Sequence, residues 1–113
     1  MTRKEALAEL IANVEAGSSP PLFGRADPCG LGLARQYVRP TFNGSLDAAK
    51  ALHEAVLPEY GYGVTGTMSD GNCRACVVPM IDNPTEYHGI SDNPARAWLL
   101  SILRALHAME AAE

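Results

Sequence analysis

Cys73 and Cys76, separated by Arg74 and Ala75, have the two-residue gap shared by zinc ligands and redox pairs. Zinc takes four ligands, and the further donors in the chain are Cys29, His53, His88 and His107, with no second cysteine pair. The same stretch reads as a strand, in which residues three apart point to opposite faces. Ordinary strand cysteines are therefore expected, and no metal or cofactor is assigned. Glu86 and His88, with Asp82 or Asp92, could do acid–base chemistry if a nucleophile or substrate lay between them. No serine stands in a nucleophile elbow and no cysteine accompanies a recognisable histidine motif. An exposed polar edge strand explains these residues as well. No catalytic residue is assigned, and a non-enzymatic protein is expected.

Anion binding is the stronger chemistry. Arg25, Arg35 and Arg39 sit close in sequence to Tyr37 and Phe42. A guanidinium grips phosphate through paired hydrogen bonds, and an aromatic ring stacks on a base. These five residues are the candidate ligand site, and a small anionic nucleotide is the ligand they would suit. Gly30 and Gly32 are too few for a dinucleotide fingerprint, and no clear strand precedes them.

Elements that would position these groups follow from period and punctuation. Thr2 and Glu5 have capping-box spacing, and Leu7, Leu10, Ile11 and Val14 form one stripe, predicting a helix over 2–16 that Gly17 stops. Residues 18–44 are broken by Pro20, Pro21, Pro28 and Pro40 and by Gly24, Gly30, Gly32 and Gly44. A turn of helix over 31–37 and an extended stretch over 37–42 are expected there. Ser45 caps a helix over 46–57, with Ala49, Leu52, Ala55 and Val56 on one side and Pro58 at its end. The period then becomes two: Tyr60, Tyr62, Val64, Gly66 and Met68 alternate as a strand. Asp70 and Gly71 signal a hairpin turn into a strand over 73–80. Asn83 and Pro84 mark another turn, with a third strand over 85–89. Asn93 and Pro94 open a helix to about residue 111, whose apolar face is Ala95, Trp98, Leu99, Ile102, Leu103, Leu106 and Met109. The fold class is α+β: three helices packed with a three-stranded antiparallel meander, in the order helix, loop, helix, three strands, helix.

Bulk properties bound the rest. At 113 residues the chain fits one domain, residues 1–113. Apolar residues make up 47%, enough for a core without disulfides. A net charge of −4 with nine scattered basic residues argues against coating extended nucleic acid. Three cysteines without a signal region point to the cytoplasm, and no run approaches the ~18 apolar residues of a membrane span. The final helix is so broadly apolar that burial against a second copy, in a homo-oligomer, is expected.

Residues 37–58 and 92–106, with the hairpin between them, resemble small proteins of tailed phages and prophages, the phage α-β-α sandwich domain group. The resemblance rests on caps and apolar stripes and carries over no functional residue. It implies a phage accessory protein acting in the host bacterial cytoplasm against antiviral defence. With the arginine and aromatic segment, the expectation is a sponge that sequesters a nucleotide-type immune signal. The alternative is a protein–protein inhibitor of a host defence nuclease, of the anti-CRISPR kind, using an acidic surface.

Overall fold

The computed structural model describes residues 2–20, 27–82 and 84–111. Helix α1 (Arg3–Glu15) begins where Thr2 Oγ1 accepts the Glu5 amide at 3.1 Å. It ends at Gly17, whose φ of 77° lets the Ser18 amide reach back to the Asn13 carbonyl. A 3₁₀ helix (Gly32–Tyr37) runs directly into α2 (Val38–Phe42), and α3 (Leu46–Val56) follows with Ser45 as its cap. Strands β1 (Tyr60–Val64), β2 (Cys73–Pro79) and β3 (Tyr87–Ser91) form an antiparallel sheet in that order. Helix α4 (Pro94–Ala111) closes the chain. Asn93 Oδ1 accepts the Ala95 and Arg96 amides at its start.

The class is α+β as expected, with four α-helices among the described residues rather than three. The stretch 37–42, expected to be extended, is helical. Pro40 falls in the first turn, where no amide is needed, and the Thr41 hydroxyl donates to the Tyr37 carbonyl at 2.6 Å. Val38, Thr41 and Phe42 are buried at helical spacing. Strand β1 stops at Val64 instead of reaching Met68. There the Thr65 hydroxyl takes the Arg74 amide at 3.0 Å, and residues 65–72 form a wider loop whose Gly71 has a φ of 83°. Beside Gly71, the Arg74 side chain and the Asn72 amide bond Asp70 and hold its carboxyl below the usual range. The third strand lies two residues later than expected, at 87–91, and the turn expected at Asn83 falls outside the described residues.

Helix α4 is the centre of the molecule, packing against α1, α2, α3 and the sheet. Besides the expected stripe it buries Ala97, Leu100, Ser101 and Ala105, whereas Met109 is exposed. Its apolar breadth is therefore used inside one chain. Gly89 makes this possible: a Cβ there would lie 2.0 Å from the Ala97 carbonyl oxygen, so the helix backbone rests directly on β3. Helix α3 is rotated from its expected face. Ala55 is exposed, and Ala48, Ala49, Leu52 and His53 are buried. At the far end Arg3 ties the layers together, donating to the Cys29 carbonyl at 2.7 Å and pairing with Glu110.

Candidate functional site

The candidate ligand residues do not assemble into one site. Arg25 lies outside the described residues. The Arg35 guanidinium donates to the Gly32 carbonyl of its own helix at 3.0 Å, and Arg39 is exposed. Tyr37 is partly buried against the core. Phe42 is a core ring, and the Arg96 guanidinium covers its face at 4.0 Å from the centroid. That face is not open to a base.

Cys73 and Cys76 lie on opposite faces of β2, the first fully buried and the second half-buried. Cys29 is also buried; burial, then the nearby Asp27 charge, pushes its thiol above the ordinary value. Glu86 and His88 form an exposed pair at 3.3 Å, while Asp92 contacts Arg96 instead. Among the described residues no His, Cys, Asp or Glu cluster is placed to hold a metal, and no helix is long and apolar enough to cross a membrane.

A cleft absent from those expectations opens between the start of α3, β1 and the start of α4. Its volume is about 440 Å³. Leu46, Asp47 and Lys50 form one wall, residues 62–66 the other, and Pro94 and Trp98 close it beneath. The floor is fixed from below by His53. The buried imidazole donates from Nε2 to the Tyr60 carbonyl at 2.8 Å and accepts the Trp98 indole N–H on Nδ1 at 3.3 Å. Both ring nitrogens are used, which sets the tautomer. The Tyr62 ring then lies over Trp98, centroids 4.4 Å apart, with His53 edge-on at 4.9 Å. Trp98 is 4% exposed, but Tyr62, which also lines the cleft, is 47% exposed.

The β1 wall is a free sheet edge. The Glu59 carbonyl accepts from the Met80 amide, and the Thr65 amide donates to the Arg74 carbonyl. With the register Gly61↔Val78 and Gly63↔Cys76, residues 61, 63 and 65 therefore turn their backbone groups toward β2. Residues 60, 62 and 64 turn theirs outward. Pro79, with no N–H to give, sits opposite Tyr60 in agreement with this phase. Tyr60 is satisfied, its amide by the Leu57 carbonyl and its carbonyl by His53. The outward amides and carbonyls of Tyr62 and Val64 have no partner among the described residues. On β3 the outward His88 carbonyl accepts from Arg104 Nη1 at 2.6 Å, and Glu15 holds that arginine at 3.4 Å. The outward His88 amide and the Ile90 backbone groups, like those of Tyr62 and Val64, have no partner among the described residues.

The sequence does carry a trace of this site. From Tyr60 to Ser69 there is no charged residue, and edge strands are ordinarily blunted with charge or proline. The meander expected from the sequence already places this run at an edge; the hydrogen-bond phase that turns Tyr62 and Val64 outward is what the structure adds. Comparison of the chain with protein-family models, characterised proteins and solved structures finds no match.

Proposed function

We propose that the protein is a non-enzymatic binding module that takes an extended polypeptide segment as a fourth strand along β1. The observation that carries this reading is the pair of outward-facing backbone units at Tyr62 and Val64, open to a preformed cleft on an uncharged edge. Strand addition uses such an edge for affinity and flanking pockets for selection. The polar side chains of the cleft are Asp47, Lys50, Tyr62 and Thr65, a set suited to holding a chain rather than to breaking a bond.

Magnitudes set what is required. Two donors and two acceptors contribute about 0.5–1.5 kcal/mol each, on the order of 2–6 kcal/mol in all. A micromolar complex needs about 8 kcal/mol. Backbone pairing therefore falls short alone, and burial of large side chains, at about 1.5–3 kcal/mol each, must supply the rest.

The resemblance to phage proteins would place the partner in a host cell. Within that setting the cleft favours an inhibitor that engages a host protein over a nucleotide sponge, because Arg35, Tyr37, Arg39 and Phe42 do not line it. The test is selection from a random linear peptide library, followed by amide chemical-shift mapping. Selected peptides should shift the Tyr62 and Val64 amides. Val64→Pro removes an amide that the fold does not use, and should abolish binding while leaving the circular dichroism spectrum unchanged. Peptides that map elsewhere, or that bind the proline variant equally well, contradict the proposal.

A further inference from the structure

We infer that the segment taken by β1 carries large apolar side chains at two positions separated by a single unconstrained residue. This deepens the strand-addition reading and rests on it. Residues paired directly across two strands share a face of the sheet. Tyr62 and Val64 both face the helical layer, Tyr62 on Trp98 and Val64 partly buried against the core. The two incoming residues opposite them must face the same way, about 7 Å apart along the segment. There they meet Leu46, which is 46% exposed, together with Pro94, Trp98 and the free surface of Tyr62. A charge at either position would lose its water against this wall. Asp47 and Lys50 have opposite sign, so together they favour neither acidic nor basic neighbours.

The residue between the two anchors lies opposite Gly63 and points to the other face. Here β1 has no side chain to select with: Gly61 and Gly63 both fall on this face, and the nearest atom to a Cβ on Gly63 would be Cys76 Sγ at 3.6 Å. Specificity is thus confined to alternate positions, apolar–any–apolar.

The experiment uses synthetic end-blocked peptides of alternating leucine and threonine, titrated into the whole protein by fluorescence polarisation with amide mapping in parallel. Replacing the threonine between two anchors by lysine should change affinity less than about threefold. Replacing one anchor leucine by aspartate should weaken it by about tenfold to a hundredfold. Leu46→Ala, at an exposed site, should weaken the parent peptide by about tenfold with the fold intact. Equal losses from the lysine and aspartate peptides would overturn the apolar–any–apolar rule while strand addition stood. Failure of every peptide to shift the Tyr62 and Val64 amides would remove the underlying reading as well. A dimer of the protein alone that Val64→Pro dissociates would put a second copy in the cleft and overturn the inference.

Discussion

A buried imidazole destabilises a core unless both nitrogens find partners, and His53 satisfies that condition through Tyr60 and Trp98. His53→Ala would strand the indole N–H and a strand carbonyl and leave a cavity. Chemical denaturation should show a loss of about 3 kcal/mol, and the cleft floor should loosen with it. The sequence shows His53 as one of three histidines without indicating that role, since Trp98 lies 45 positions away. The cysteines are a contrasting case. Alternation along a strand places Cys73 and Cys76 on opposite faces, and the structure has them so. Thiol labelling at neutral pH should modify Cys76 first. Cys73 is fully buried, and Cys29 is both buried and held above its usual pKa, so its thiolate fraction is small. Rapid labelling of Cys29 would contradict its placement.

Among elements, those with explicit start signals are legible from sequence. Thr2, Ser45 and Asn93 each accept amides as their cap positions require, and α4 begins at Pro94. Segments whose form depends on tertiary contact are not. The helix over 38–42 rests on burial of Val38, Thr41 and Phe42, which outweighs the extended preference of isolated β-branched residues. The placement of β3 is likewise set from outside, because only glycine at 89 lets α4 approach. Gly89→Ala should cost about 3 kcal/mol or more, read as a lowered denaturation midpoint, since the added methyl meets helix backbone. Gly66→Ala, with open space around its Cβ, should stay within about 0.5 kcal/mol of the parent. Equal effects at the two sites would mean that α4 does not rest on β3 as described.

At the scale of the whole molecule, the two edges of one small sheet differ at one point. Arg104, held by Glu15, takes the outward His88 carbonyl of β3, whereas the outward groups of Tyr62 and Val64 on β1 face a cleft. The meander, and with it β1 and β3 as the outer strands, follows from the pattern of the chain; the phase of the β1 hydrogen bonds and the reach of Arg104 to His88 do not. Amide hydrogen exchange tests that phase most directly. The Gly61, Gly63 and Thr65 amides, turned toward β2, should exchange slowly, and those of Tyr62 and Val64 should exchange as fast as loop amides until a peptide is added. Protection of Tyr62 and Val64 equal to that of their neighbours in the isolated protein would contradict an open β1 edge.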